Sequence, residues 1–151
     1  MASNINDFER QLTAKGQEKF VRQVTELYKS LVLTTYQYIT ANVMTTGKVF
    51  GSPVATGRYY NSHTIRIGSI DTRVKPDNPR GQDSPYSGLP LSQAAAAISN
   101  LKLSDVVYIA NSLPYARKIE FEGWSKAKAP HGVYRVAANL VKVKFKNVTV
   151  T

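Results

Sequence analysis

The chain contains no cysteine and only two histidines, His63 and His131. Without cysteine it can form neither a disulfide nor a thiolate nucleophile. The two histidines lie far apart in the sequence, and no cysteine can complete a zinc-ligand set with either of them. We therefore expect no metal site. The lack of cysteine leaves the compartment open and is compatible with synthesis in the cytosol.

Long apolar runs are absent as well. No stretch approaches the roughly 18 consecutive apolar residues that indicate a membrane-spanning helix. The first residues, MASNINDFERQ, lack the apolar core of a secretory signal peptide. We therefore expect neither feature. A length of 151 residues is typical of one domain with its own core, and we expect residues 1–151 to form one.

Acidic residues are scarce relative to basic ones. Twenty Lys and Arg face ten Asp and Glu, for a formal net charge of +10. This excess permits contact with nucleic acid or with an acidic protein surface. Near the C-terminus, Lys142, Lys144 and Lys146 alternate with apolar residues. With exposed tyrosines, such a stripe would suit a basic nucleic-acid-binding domain, which is one of two functions left open.

Motifs for catalysis and nucleotide binding are missing. The glycines of the segment 51–57 have the wrong spacing for a Walker loop, and the Lys and Ser or Thr of that motif do not follow. No G-x-S-x-G nucleophile elbow occurs. Glu120 and Glu122 would point to different sides of a helix, so they do not form a carboxylate pair. We expect no catalytic residue and no cofactor, and we expect Glu120 to face Arg117 or a backbone N–H.

The N-terminal region has the apolar period of a long helix from Gln17 to about residue 41. The apolar stripe comprises Phe20, Val24, Leu27, Leu31, Tyr36 and Ile39, flanked by Val21, Tyr28, Val32 and Tyr38. We interpret this stripe as core-facing, with a subunit contact as the alternative. Asn6 or Asp7 can cap a short preceding helix, which Gly16 is predicted to break.

The middle of the chain predicts a strand followed by a long loop. Residues Tyr59–Ser69 alternate imperfectly, with Ile65 and Ile67 on one face. Residues Asp71–Pro90 are polar and rich in proline, and a structureless loop of this length is uncommon in a compact domain. Two interpretations remain open: an arm that becomes ordered against a neighbouring molecule, or a tolerated surface insertion.

An alanine-rich helix follows the loop. Ser92 is predicted to cap it, and the helix continues to Ser99. Its packing residues are expected to be Leu91, Ala95, Ile98 and Leu101. The last segment, from Val141 to Val150, fits either the continuation of a helix or a terminal strand.

The region between these two segments contains most of the special residues. Val106–Ala110 is a β-branched, apolar run that predicts a strand, which Asn111 ends. Pro114 is predicted to occupy the first position of a helix, and Gly123 to end that helix in the left-handed conformation. Lys126–Pro130 is predicted to be an exposed loop. A second amphipathic helix would present Val133, Val136, Ala137, Leu140 and Val141 on one face.

Two elements of the sequence resemble those of a known family. The first comprises Asn111, Pro114-Tyr115-Ala116, Glu120 and Gly123, followed by Pro130-His131-Gly132. The second is Pro53-Val54-Ala55-Thr56-Gly57-Arg58, in which Ala55 stands where the family usually has Asp. In their order and rough separation the two resemble the tail-completion, or minor tail, proteins of long-tailed bacteriophages, of the lambdoid tail-component type. Tyr115 would then lie half-buried in a seam, and Ala116 would allow a helix to approach the sheet closely.

We expect an α+β fold, with a long N-terminal helix and shorter helices packed on a small, mainly antiparallel sheet. The resemblance implies a structural virion protein of the phage neck or tail end, made in the host cytoplasm. Such a protein forms a closed ring, expected to be a hexamer, that joins or terminates the tail tube at the head-to-tail connector. Its partners would be copies of itself, the tail tube protein and the head-side connector or stopper protein. DNA passing through the ring is a further candidate partner. No contact with a membrane is expected.

Residues from several segments are expected to contribute contacts with other subunits. They are Arg58, Tyr59, Tyr60, Arg73, Lys75, Arg80, Tyr86, Trp124 and His131. Aromatic residues and arginine are enriched at the energetic centres of interfaces. Trp124 has two interpretations, as an interface anchor or as a lid over the chain's own core.

Overall fold

The computed structural model describes residues 2–41, 51–53, 57–74, 91–127 and 129–150. Its helices in these ranges are α1 (Ala2–Thr40), α2 (Arg58–Asn61), α3 (Leu91–Ala97), α4 (Ala116–Phe121) and α5 (Tyr134–Lys144). Its strands there are β1 (His63–Ile67) and β2 (Val107–Asn111). The predicted α+β fold, with a long N-terminal helix, shorter helices and an antiparallel pair of strands, is confirmed.

The long helix is continuous. The predictions that a cap at Asn6 or Asp7 begins a short helix and that Gly16 breaks it are both wrong, because α1 runs unbroken from Ala2 to Thr40. A glycine inside a helix costs about 1 kcal/mol relative to alanine, and strong helix formers on both sides offset this cost. Glu26 and Lys29, one turn apart on α1, form an ion pair at 3.2 Å.

The two halves of α1 have different environments. Every residue from 4 to 22 is exposed, whereas Val32, Tyr36 and Ile39 are buried. The core-facing interpretation of the apolar stripe therefore holds only for the second half. Phe20, which is 55% exposed, belongs to the half that projects away from the rest of the described chain.

The sheet of the described residues consists of β1 and β2, paired antiparallel. His63 lies opposite Asn111 and Ile67 lies opposite Val107. The predicted strand at Tyr59–Ser69 therefore begins four residues late, since residues 58–61 form α2. The strand predicted at Val106–Ala110 is present, shifted by one residue.

The buried side chains form two clusters, and Ile109 of β2 packs against both. The first contains Ile39, Tyr59, Leu113, Ile119, Ala129, Val133 and Ala137. The second contains Val32, Tyr36, Ile65, Ala94, Ile98 and Leu101. The predicted packing of Ile98 and Leu101 is confirmed. Ala95 is half-buried and Leu91 is exposed. The helix begins at Leu91 itself, one residue before the predicted cap at Ser92.

The C-terminal segment is helical rather than extended. Helix α5 continues to Lys144, so the terminal strand left open by the sequence does not form. Its predicted apolar face is confirmed, with Val133, Ala137 and Val141 buried. The preceding loop is not wholly exposed, because Ala129 is a core residue. In the long segment 71–90, only residues 71–74 are described, so the choice between arm and insertion lies outside the described residues.

Replacing Gly16 by alanine should strengthen the projecting half of α1 by up to about 1 kcal/mol, because a methyl group there meets no atom within 4 Å. The expected readout is slower amide hydrogen exchange across the projecting half, with little change in the unfolding midpoint of the core. Ala14→Gly, two residues away, is the matched change in the opposite sense. Faster exchange in Gly16→Ala would contradict the continuous helix.

Candidate subunit interface

The turn between β2 and α4 is built by Asn111 and Pro114. The Asn111 side chain accepts a hydrogen bond from the Leu113 N–H at 3.2 Å and donates one to the Tyr59 carbonyl at 2.9 Å. Its predicted role at the strand end is thus confirmed, and it also fixes α2. Pro114 does not begin the helix as predicted. The Ala116 N–H donates to the Leu113 carbonyl at 3.0 Å, which makes Pro114 the second residue of a turn, a position that proline also favours.

Glu120 joins α4 to α5. Its carboxylate accepts hydrogen bonds from the backbone N–H groups of Val133, Tyr134 and Arg135, at 2.7, 3.0 and 2.9 Å. The first N–H groups of a helix have no partner within it, and the helix dipole favours a negative charge there. The Arg135 guanidinium adds an ion pair at 3.4 Å and donates to the Glu120 carbonyl at 2.6 Å. The backbone alternative predicted for Glu120 is therefore confirmed, and the one with Arg117 is wrong.

Gly132 makes this arrangement sterically feasible. Its φ is +83°, and a Cβ built on it would lie 2.7 Å from Oε1 of Glu120. Glu120 and Gly132, which belong to different parts of the resembled signature, therefore lie in direct contact. Gly123 ends α4 in the left-handed conformation, with φ +65°, as predicted. Pro130 and His131 are exposed in the loop between them.

A buried polar chain lies behind this corner, and sequence reasoning did not identify it. Ser52 Oγ donates to the Ile39 carbonyl at 2.6 Å and lies 2.6 Å from His63 Nε2, while His63 Nδ1 lies 2.7 Å from the Tyr134 hydroxyl. Burial raises the pKa of Tyr134 well above its ordinary value, so this phenol stays protonated and can donate to Nδ1. The only sequence signal for His63 was a histidine at an inward-facing position of a predicted strand.

The polar chain does not activate Ser52 as a nucleophile. The serine proton is committed to Ile39, so the network assigns the His63 Nε2 hydrogen as the donor to Ser52. A general base would need the opposite arrangement. Ser52 is 0% and His63 2% exposed, so neither can reach a substrate in this conformation. We interpret this hydrogen-bonded group of Ser52, His63 and Tyr134 as a structural connection between α1, β1 and α5.

The segment after β1 is held by Asp71. Arg73 donates to both oxygens of its carboxylate, at 2.9 and 2.7 Å, and these hydrogen bonds lower the pKa of Asp71 well below its usual range. The Asp71 carbonyl accepts from Ser112 Oγ at 2.7 Å. Arg73 therefore anchors the start of the long loop. The other predicted contact residues of this loop, Lys75, Arg80 and Tyr86, lie outside the described residues.

An open cleft of about 510 Å³ lies between α4, α5 and the end of β2. Its lining is mostly apolar and consists of Tyr59, Ala110, Asn111, Ala116, Arg117, Glu120, Phe121, Tyr134, Arg135 and Ala138. Phe121 stands at its edge with 63% exposure, beside the Arg135 guanidinium. We call this feature the α4–α5 cleft.

Trp124 lies exposed just beyond α4. It stacks on Tyr115 with ring centroids 6.3 Å apart, and Lys118 Nζ lies 4.6 Å from its ring. Its exposure of 61% excludes the interpretation as a core lid. Tyr115 is half-buried and packs against the first core cluster, as predicted for a seam residue. Ala116 packs there too.

The other predicted contact residues have mixed environments. Arg58 and Tyr60 are half-buried, and burial raises the pKa of Tyr60. Tyr59 is only 5% exposed and belongs to the core, so it can contribute only as part of the cleft lining. In the second sequence element, Pro53 and Gly57 are both buried.

The described residues contain no group of three or more His, Asp or Glu side chains placed to hold a metal ion. None of the helices in the described ranges has the length and apolar character to cross a membrane. Comparison with protein-family models, with curated proteins and with solved structures finds no match.

Removing the Glu120 carboxylate should destabilise the fold. In Glu120→Ala, three N–H groups at a helix start lose their partner, and we expect a loss of about 2 kcal/mol or more in the free energy of unfolding. Gly132→Ala should cost about 2 kcal/mol, from its left-handed backbone and its collision with the carboxylate. In the double variant the carboxylate with which the added methyl group collides is absent. The double variant should therefore lose less free energy of unfolding than the sum of the losses in the two single variants.

Denaturant unfolding of the unmodified protein, the two single variants and the double variant measures the coupling free energy between the two changes. We expect it to be about 1 kcal/mol. Gly123→Ala is the matched control, because it has a similar φ but no atom within 4 Å of an added Cβ. It should show no coupling to Glu120→Ala. Strictly additive losses for Gly132→Ala would contradict the proposed contact.

Proposed function

We propose that this chain is a structural virion protein of the phage neck or tail end. It forms a ring, expected to be hexameric, that joins or terminates the tail tube at the head-to-tail connector. Its partners are other copies of itself, the tail tube protein and the head-side connector or stopper protein. It works by assembly, without turnover of a substrate and without a cofactor.

Exposed apolar surface is the observation that carries this proposal. Phe121 is 63% exposed at the edge of the α4–α5 cleft, Trp124 is 61% exposed just beyond α4, and the projecting half of α1 carries further exposed apolar residues. Exposed apolar side chains that lie near one another mark contact sites more often than isolated ones do. The residues of the resembled signature, including Asn111 and Glu120, shape the corner that presents the first of these surfaces.

The alternative of a basic nucleic-acid-binding domain receives less support. It relied on a stripe formed by Lys142, Lys144 and Lys146 in an extended segment. Lys142 and Lys144 instead lie in α5, where residues two apart point to different sides, and Lys146 follows in a turn. Lys142 and Lys144 therefore do not lie on one face.

Deleting the gene in the phage or prophage that encodes the chain tests the function. We expect filled heads and separate tails that fail to join, or tails of irregular length, and a plasmid copy should restore infectious particles. Mass spectrometry should find the chain in purified particles. Normal, infectious particles from the deletion strain would overturn the proposal.

Trp124→Ala should weaken assembly while leaving the subunit folded. The side chain is mostly exposed, and its stacking and cation contacts stabilise the free chain by only about 1 kcal/mol. We expect fewer joined particles in complementation, counted by electron microscopy, with a nearly unchanged unfolding transition. Val143→Ala removes another exposed apolar side chain, on α5, and should complement fully. Complete assembly with Trp124→Ala would remove this residue from the interface.

A further inference from the structure

The first turns of α1 carry an apolar stripe that the described chain leaves uncovered. Ile5, Phe8 and Leu12 are 63%, 61% and 54% exposed. Their spacing of i, i+3 and i+7 places them on one side of the helix. This is the anchor pattern of an amphipathic helix that binds in an apolar groove.

This stripe does not point in the direction of the chain's own core. At about 100° per residue, it lies roughly 150° around the helix axis from the core-facing residues Val32, Tyr36 and Ile39. Phe8 is also about 24 Å along the axis from Val24, where α1 begins to be covered. The stripe is therefore positioned to contact another molecule.

Pairing between two α1 helices explains the stripe poorly. A coiled coil needs apolar residues repeated over three or four heptads. Here Lys15 and Gly16 occupy the positions where the stripe should continue after Leu12. The uncovered stripe is thus about two helical turns long, which suits a short groove.

The α4–α5 cleft is a groove of suitable character on the same chain. It is open, mostly apolar and about 510 Å³ in volume, and Phe121 stands exposed at its edge. Tyr59, which is only 5% exposed, forms part of its inner wall.

The charges of the two surfaces are complementary. Asp7 and Glu9 flank Phe8 in the sequence, whereas Arg117 and Arg135 line the cleft. Arg135 is engaged with the cap of α5, but Arg117 is exposed and forms no ion pair with a described residue. The acidic side chains next to Phe8 and the basic rim of the cleft favour this pairing over one between like surfaces.

We propose that the first turns of α1 of one copy occupy the α4–α5 cleft of the next copy. Ile5, Phe8 and Leu12 would enter the cleft, and Glu9 would approach Arg117. Because the two surfaces differ, the contact is heterologous and can close into a ring. This inference rests on the proposed ring and names the surfaces that build it.

Photo-cross-linking tests the occupant directly. A benzophenone amino acid replaces Phe8 in the full chain, and a mixture of normal and ¹⁵N-labelled protein is irradiated at high concentration and in assembled particles. Mass spectrometry should find mixed-label products that join position 8 to residues of α4 or α5. The same probe at Arg10, on the opposite side of the helix, should not reach the cleft.

Charge reversal provides an independent test. Glu9→Lys and Arg117→Glu should each weaken self-association by about three- to tenfold, measured by sedimentation velocity. The two changes together should recover most of the loss, because the pair is restored with opposite polarity. Glu18→Lys makes the same change of charge on another side of the helix, so it is the matched control and should show no such recovery with Arg117→Glu.

Three results would overturn the inference: cross-links within one copy, cross-links between two α1 helices, or none to another copy in any preparation. A chain present in particles that gives one of these results refutes the contact alone. A chain that self-associates through the cleft but is absent from particles refutes the proposed function alone.

Discussion

The hydrogen bonds from the start of α5 to the Glu120 carboxylate are the interaction on which this corner of the fold depends. A buried carboxylate is costly unless its oxygens are bonded, and here three backbone N–H groups and Arg135 supply the bonds. The same bonds fix α4 and α5 relative to each other. Since the α4–α5 cleft is the space between these helices, its shape follows from this one cap, and Gly132 is required because no side chain fits beside the carboxylate.

The buried polar chain extends this rigidity across the molecule. Tyr134 donates its backbone N–H to Glu120, and its hydroxyl bonds to His63. His63 bonds to Ser52, which donates to the Ile39 carbonyl near the end of α1. A polar network whose members are all satisfied holds one arrangement strongly. The cleft therefore has a wall that is formed before any partner arrives, which lowers the ordering cost of an interface.

Local sequence patterns predicted those features that depend on neighbouring residues. The apolar face of α5, the strand at residues 107–111 and the glycine end of α4 each follow from a short period or a single backbone requirement. Errors arose where two outcomes share one local signal. Pro114 suits both the first position of a helix and the second position of a turn, and Gly16 can break a helix or be tolerated within it. The role of His63, and which backbone N–H groups Glu120 binds, depend on residues distant in sequence, so only the folded chain reveals them.

The projecting half of α1 raises a question of stability that links the fold to assembly. An isolated helix of about 20 residues is marginal in water, because tertiary packing of an apolar face supplies most helical stability in proteins. Residues 4–22 are all exposed, so in a free subunit this half gains little from packing. If another copy covers Ile5, Phe8 and Leu12, their burial supplies the packing energy that the free helix lacks. Binding of subunits would then stabilise the helix by mass action. On this view the rigid cleft and the marginal helix are complementary parts of one contact.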